Sequence, residues 1–286
     1  MSSGMDNHIH MSKVVRDRPV RSRPVPWWVR AVLWLAAAQA LLLLLALVQP
    51  SQVNLLVPWP ASPLNARFIA SLYVALGAGV VLCSVARGFR EMRIVLVGIG
   101  LATALLLVLT VIRMVVHPHE LTTFPLFWLL FYVIDPLLVG LVFLRLGWGG
   151  ADAPDATPPR ALWFVEAALF GAAGLILLLL PTAARSLWPW TITEPQSQLY
   201  SAFFITLAVV SLLAARERSW IGVRWLVFMI ALLALLVLTV SLVHLARFTS
   251  GGSTVVWMVV LLAELIGCGG LFVALSMRDR SAVAAS

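Results

Sequence analysis

The sequence is poor in charged residues. Only 11% of its 286 residues are Asp, Glu, Lys or Arg, whereas a soluble domain carries about 25%. Hydrophobic residues make up 62% of the chain, which excludes an ordinary soluble protein and predicts a polytopic membrane protein in contact with a lipid bilayer. The formal charge of +8 does not indicate nucleic acid, because the basic residues lie at the ends of apolar runs.

Cysteine and the familiar catalytic motifs are also scarce. The two cysteines, Cys83 and Cys268, lie inside apolar runs, and there is no CxxC pair, so neither a disulfide framework nor a zinc finger is expected. The chain contains no Walker motif, dinucleotide fingerprint, HExxH or GxSxG. No loop is long enough for a soluble domain. We therefore expect a protein that is not an enzyme and has no cofactor.

Lysine occurs once, at Lys13, against nineteen arginines. Together with abundant alanine, this bias is typical of a high-GC bacterial genome.

Eight apolar runs have the length of about 20 residues that a membrane helix needs. They cover residues 28–48, 66–86, 94–116, 125–146, 161–183, 198–215, 221–246 and 255–277, of which the sixth is the shortest. With the N-terminus inside, sixteen basic residues lie at inner boundaries and four at outer ones. This asymmetry predicts a multi-pass protein of the cell membrane with both termini cytoplasmic.

The second half of the chain repeats the first at an offset of 129 residues, which becomes 130 or 131 in the earlier part of each repeat, where Pro58 matches Pro189 and Arg30 matches Arg160. The matching residues are Arg87 with Arg216, Trp128 with Trp257, and Asp135 with Glu264. Four helices per repeat is an even number, so both halves have the same orientation in the membrane. The predicted fold is all-α, with eight transmembrane helices as two parallel tandem four-helix repeats related by an axis along the membrane normal.

The predicted helices and the polar segments around them divide the chain into five parts. They are a disordered basic cytoplasmic arm (1–26), a first four-helix repeat (27–146), a cytoplasmic linker (147–159), a second repeat (160–277) and a cytoplasmic tail (278–286).

A tryptophan-containing loop follows the first helix of each repeat. It reads VPWPASPLN from Val57 and WPWTITEPQ from Trp188. This PW-x-x-(S/T)-P-L type of loop resembles that of uncharacterised multi-pass membrane proteins of high-GC bacteria. The resemblance implies the architecture and no particular chemistry.

Two carboxylates stand near the middle of apolar runs, where a charge is most costly. Asp135 and Glu264 each follow a tryptophan by seven residues, which is two helical turns, so each shares a face with that tryptophan. Under the repeat symmetry they would take related positions, near one axis. They are candidates for a proton or cation site. Alternatively, each is a protonated acid hydrogen-bonded to a neighbouring helix, and Pro136 would free the carbonyl of Tyr132 beside Asp135.

Glu166 is the third intramembrane carboxylate and has no counterpart in the first repeat, where Ala36 stands. We expect an ion pair with an arginine near the inner surface, such as Arg87 or Arg145, or a role in the same polar site.

Histidines and tryptophans lie mainly near the predicted interfaces. His117, His119 and Glu120 form a short metal-like cluster, and His244 lies at the same outer side. The ligand set is incomplete for zinc, and the repeat does not reproduce the pair that haem would need, so no metal site is expected. An aromatic belt explains several tryptophans, including Trp188, Trp190 and Trp220.

Two function classes remain open. One is transport or permeation of a proton, ion or small solute, with the midplane carboxylates as titrating groups. The other is a non-transporting scaffold or accessory subunit with a protein partner, or a homo-oligomer, within the membrane.

Overall fold

The structure, a computed structural model, describes residues 24–52, 61–116, 126–148, 159–249 and 251–284. Within these ranges the ordered elements are helices, joined by loops that contain two isolated β-bridges, Pro24–Gly88 and Trp190–Phe248. The predicted all-α class is confirmed.

Eight of these helices are long and apolar enough to cross a membrane, as expected for a multi-pass membrane protein. They are α1 (Trp27–Val48), α2 (Pro63–Ser84), α3 (Arg93–Val116), α4 (Leu126–Leu146), α5 (Arg160–Leu179), α6 (Glu194–Arg216), α7 (Trp220–Val243) and α8 (Gly252–Ala284). The eight predicted runs coincide with them to within a few residues at most boundaries.

Three departures from the predicted runs have local causes. Helix α1 is interrupted at Leu43, after which Leu44–Val48 forms a separate short helix. Helix α5 ends at Leu179, because Pro181 has no backbone N–H and instead begins a short helix, Pro181–Leu187. Helix α6 begins earlier than its apolar run, since its first turn is polar and is capped by the Thr193 side chain.

The helices pack in sequential pairs around a central group of four. Helix α1 packs on α2, α3 on α4, α5 on α6 and α7 on α8, while α2 contacts α7 and α3 contacts α6 across the middle. The central helices are α2, α3, α6 and α7. In α2, 72% of the most apolar 18-residue window is buried, against 17% in the peripheral α8.

The peripheral helices α1, α4, α5 and α8 present large apolar side chains outward. Examples are Leu144, Leu179 and Ile266. Exposed apolar surface of this extent is what a helix facing lipid presents.

The helix bundle has two ends. The terminal end holds the start of α1 and the α2–α3 and α6–α7 loops. The distal end holds the α1–α2, α5–α6 and α7–α8 loops. An aromatic cluster fills the core near the distal end, where Phe68 meets Trp190 and Tyr200 edge to face with centroids 5.3 and 4.7 Å apart.

Several tryptophans assigned to a membrane-interface belt are instead part of the core. Trp188, Trp190 and Trp220 are 9%, 2% and 3% exposed. These three side chains therefore pack against protein, Trp188 and Trp190 in the aromatic cluster of the distal end and Trp220 at the start of α7.

Candidate functional site

Asp135 lies on α4 and lines a small cavity in the first half of the molecule. The cavity has a volume of about 30 Å³ and is also lined by Gln39 of α1, Tyr73 of α2, Thr103 of α3 and Tyr132 of α4. The Tyr73 and Tyr132 hydroxyls are 2.9 Å apart. Such a volume has room for a water molecule.

Gln39 is unusual among the cavity residues. Its side chain is buried, and its Nε2 has no hydrogen-bond partner in the described part of the chain. A buried amide donor without a partner costs about 1–3 kcal/mol. A water-sized species next to Asp135 would remove this cost.

Glu166 and Glu264 meet in the second half of the molecule, although they come from α5 and α8. The Cys268 thiol lies 3.8 Å from an oxygen of each carboxylate. The Ser211 hydroxyl of α6 donates to Glu166 Oε2 over 3.3 Å. One ligand-type atom from each of Glu166, Glu264 and Cys268 lies within 4.8 Å of the others.

This carboxylate pair has no arginine or lysine partner within the described ranges. Two negative charges so close together in an apolar environment would be strongly unfavourable. The cluster is electrostatically complete only with a proton or a cation. Two carboxylates and a thiol can also ligate a divalent metal. They provide three protein ligands, which is the number in a catalytic zinc site and one fewer than in a structural site.

The ion pair expected for Glu166 is not formed. Arg87 and Arg145 are both exposed, and α4, which carries Arg145, packs on α3 and not on α5. Glu166 faces α6 and α8, so Ser211 and Cys268 are its partners.

Asp135 and Glu264 lie in separate clusters, each within its own half. Sequence symmetry had suggested that they approach one axis. They do not, because α4 and α8 are both peripheral helices, and each packs mainly on the preceding helix of its own half.

A buried network of ion pairs at the terminal end was not anticipated from the sequence. Glu217, in the α6–α7 loop, accepts from Arg93 and from Arg90 over 2.9 Å. Reciprocally, Glu91 of the α2–α3 loop accepts from Arg224 of α7. Each loop thus binds arginine of the other half.

The surroundings of Glu217 lower its pKa. Burial by itself raises the pKa of a carboxyl, but hydrogen bonds from Arg93 and Arg90 outweigh burial and favour the charged form. The Arg218 and Ser219 backbone N–H groups also donate to Glu217 Oε1 over 3.0 and 3.2 Å.

Asn65 is the centre of a buried network at the distal end. Its Nδ2 donates to Gln196 Oε1 over 3.1 Å and to the Thr191 carbonyl over 3.3 Å. Its Oδ1 accepts from Trp190 Nε1 over 2.6 Å and from the Tyr200 hydroxyl over 2.9 Å. The sequence feature that could have identified this network is the repeated loop. Asn65 and Gln196 each stand three residues after the Ser or Thr that caps the following helix.

A larger cavity opens beside this network. Its volume is about 510 Å³, and its lining includes Ser62, Trp190, Thr193, His244 and Arg247. The predicted cluster of His117, His119 and Glu120 falls outside the described residues.

His244 contacts the guanidinium of Arg67, which is not a metal ligand. Its Nε2 lies 2.7 Å from Arg67 Nη1. Burial, together with the charges of Arg67 and Arg247, lowers the pKa of His244. The neutral ring therefore accepts from Arg67 through Nε2, and the hydrogen is on Nδ1.

Comparison with protein-family models, with curated proteins and with solved structures finds no match.

Proposed function

We propose that this protein exchanges protons or small cations across a membrane, using Asp135, Glu166 and Glu264 as the titrating groups. The observation that carries the proposal is the convergence of Glu166 and Glu264 on Cys268, with no cationic side chain beside them among the residues that the structure describes. Carboxylates buried in membrane helices are costly and commonly mark proton or ion pathways.

The size of the two cavities between the long helices favours a proton or a bare ion over a larger solute. The cavity between the central helices measures about 50 Å³ and is lined mainly by apolar side chains, including Leu72, Phe203 and Ile230. The Asp135 cavity measures about 30 Å³. Neither approaches the 300–1,000 Å³ of a typical small-molecule site.

The two polar clusters are arranged alike in the two halves. In the first, Asp135 of the fourth helix shares a cavity with Gln39 of the first helix. In the second, Glu264 of the fourth helix meets Glu166 of the first helix. This likeness favours one kind of site in each half.

The proposal includes the parallel four-helix repeat. Three observations support it: α2 contacts α7 as α6 contacts α3, the equivalent residues Asn65 and Gln196 bind each other, and the loop carboxylates Glu91 and Glu217 bind arginines of opposite halves. Each is expected if a two-fold axis runs along the membrane normal.

The test is flux in proteoliposomes loaded with a pH-sensitive dye. We expect the unmodified protein to dissipate an imposed pH gradient, and Glu264→Gln or Glu166→Gln to abolish this flux. Asp135→Asn should do the same if both halves conduct. Glu194→Gln, which changes an exposed carboxylate, is the matched control and should retain the flux.

Unchanged flux in folded Glu166→Gln and Glu264→Gln variants would contradict the proposal. Proton flux and sodium flux are measured separately, with a sodium-sensitive dye in the second case, so that the two ions are distinguished.

A non-transporting scaffold or accessory subunit is the second candidate. The contact between the central helices favours it, because the cavity between them is small and lined mainly by apolar side chains. On this proposal the unmodified protein shows no flux, the same variants lower thermal stability, and a protein partner or a second copy co-purifies with the chain.

We also propose that the protein lies in the cell membrane with both termini cytoplasmic. The terminal end carries most of the arginines, including Arg30, Arg87 and Arg218, as the positive-inside rule requires of a cytoplasmic face. Reporter fusions at the C-terminus and in the α5–α6 loop should give opposite orientations.

A further inference from the structure

A cavity of about 510 Å³ lies at the distal end. Its walls come from both halves, with Ser62 and Asn65 on one side and Thr193 and Gln196 on the other. The volume lies within the 300–1,000 Å³ range of small-molecule sites. Its polar lining consists of hydroxyl and amide side chains together with His244 and the guanidinium of Arg247.

Arginine side chains supply positive charge at this cavity. The exposed Arg247 lines the cavity, and Arg67 contacts His244, which also lines it. Arg67 otherwise donates to the Leu47 carbonyl over 2.9 Å. Among the described residues, neither arginine has a carboxylate partner, and Glu194 is exposed and does not line the cavity.

The helix directions reinforce this charge. Helices α2 and α6 both begin at the cavity wall, beside Ser62 and Thr193. The N-terminus of a helix carries a partial positive charge and attracts anions. Two such ends therefore add to the field of the arginines.

His244 presents a further donor. Since Nε2 accepts from Arg67, the hydrogen on Nδ1 is available for a ligand. A half-buried arginine held against a neutral histidine, with a second arginine nearby, is electrostatically incomplete. A bound anion would complete it.

We propose that this distal cavity binds a phosphate-bearing anion, with the Arg247 guanidinium as the principal contact and Arg67 and His244 behind it. Arginine forms paired, charge-assisted hydrogen bonds with phosphate oxygens. The site is distinct from the intramembrane carboxylates and does not depend on ion exchange by them. The phosphate comes either from the headgroup of an anionic lipid in the adjoining leaflet or from a soluble phosphate compound.

The experiment measures binding to the full chain in a non-ionic detergent by isothermal titration calorimetry. The probes are short-chain phosphatidylglycerol, short-chain phosphatidylcholine as the zwitterionic comparison, and inorganic phosphate. Arg247→Gln should weaken binding of the anionic probe by at least about tenfold, which corresponds to the loss of one charge-assisted contact. Arg185→Gln removes an exposed arginine of the neighbouring short helix and should leave the affinity unchanged.

The binding results distinguish a lipid headgroup from a soluble compound as the source of the phosphate. Binding of phosphatidylglycerol over phosphatidylcholine, without binding of inorganic phosphate, assigns the site to a lipid headgroup. Binding of inorganic phosphate, lost in Arg247→Gln, assigns it to a soluble anion. Arg247→Lys keeps the charge and should retain part of the affinity, which distinguishes lost contact from misfolding. Absence of binding by every probe, or equal weakening by Arg185→Gln, would overturn the proposal.

Discussion

Asn65 and Gln196 are hydrogen-bonded to each other in the core, although 131 positions separate them in the chain. Both occupy the third residue after a helix cap, Ser62 for α2 and Thr193 for α6. Equivalent residues of two repeats can contact each other only close to the axis that relates the repeats. The pair therefore supports the proposed duplication and ties the two halves together at the distal end.

Replacing Asn65 by leucine should destabilise the protein. The change keeps the approximate volume but leaves the Trp190 indole N–H and the Tyr200 hydroxyl without their acceptor. We expect a loss of about 2–4 kcal/mol, because each buried group left unpaired costs about 1–3 kcal/mol. Thermal unfolding in a mild detergent measures it, and Gln198→Leu, at a half-buried position of the same helix turn as Gln196, is the control.

Replacing Glu217 by glutamine should loosen the terminal end. Arg93 would keep its buried charge without the carboxylate of Glu217, and removing one partner of such a pair costs about 3–5 kcal/mol. Adding Arg93→Gln should recover part of the loss. If Glu217→Gln unfolds at the same temperature as the unmodified protein, the network does not stabilise the contact between the halves.

The lowered pKa of Glu217 also predicts that the stability of the protein decreases in acid. Its pKa in the folded protein is lowered from 4.5, so its stabilisation is complete above that value and is lost as the pH falls through the lower pKa of the folded state. Unfolding temperature measured against pH should show this loss in the unmodified protein. A Glu217→Gln variant should lack this component of the acid dependence.

Two glycines of α5 should respond differently to alanine. A methyl group at Gly174 would lie 2.8 Å from the Ile205 side chain and 2.9 Å from the Ile205 backbone nitrogen, whereas one at Gly171 would lie 3.6 Å from Ala208. Gly174→Ala should therefore separate α5 from α6 and cost about 1–3 kcal/mol. Gly171→Ala should change stability by less than about 1 kcal/mol. Similar unfolding temperatures for the two variants would be inconsistent with the close packing of α5 and α6.

His244 should make the distal end sensitive to mild acid. Its pKa is lowered from 6.5 by burial and by the charges of Arg67 and Arg247. The unfolded chain therefore binds the proton more readily, and stability falls as the pH drops from 6.5 towards the lower pKa of the folded state. His244→Asn should remove this component. A pH profile identical in the two proteins would show that the ring does not titrate in this window.

The helices could be predicted from the sequence to a large extent because a membrane span is a local property. An apolar run of about 20 residues is set by the thickness of the bilayer, and the predicted runs match α1–α8. The sixth predicted run begins after the start of α6, because the apolar criterion misses the polar first turn of this helix, where Gln196 and Ser197 are buried.

The candidate site was only partly predictable. The sequence identifies Asp135, Glu166 and Glu264 as costly groups, since each interrupts an apolar run. It does not identify Gln39 as a neighbour of Asp135, because a single glutamine in an alanine- and leucine-rich run has no distinguishing pattern. Arg90, Arg93 and Arg224 were counted only as topology signals, although they bind Glu91 and Glu217.

The sequence by itself therefore determined the number of long apolar helices, their approximate ends and the position of each carboxylate along its helix. These follow from hydropathy along a short stretch of chain. Only the tertiary structure decided that Glu166 meets Glu264, that Asn65 meets Gln196 and that Glu91 meets Arg224. Such pairs depend on the rotation of each helix and on the choice of its neighbours, which arise from packing between segments about 100 or more residues apart.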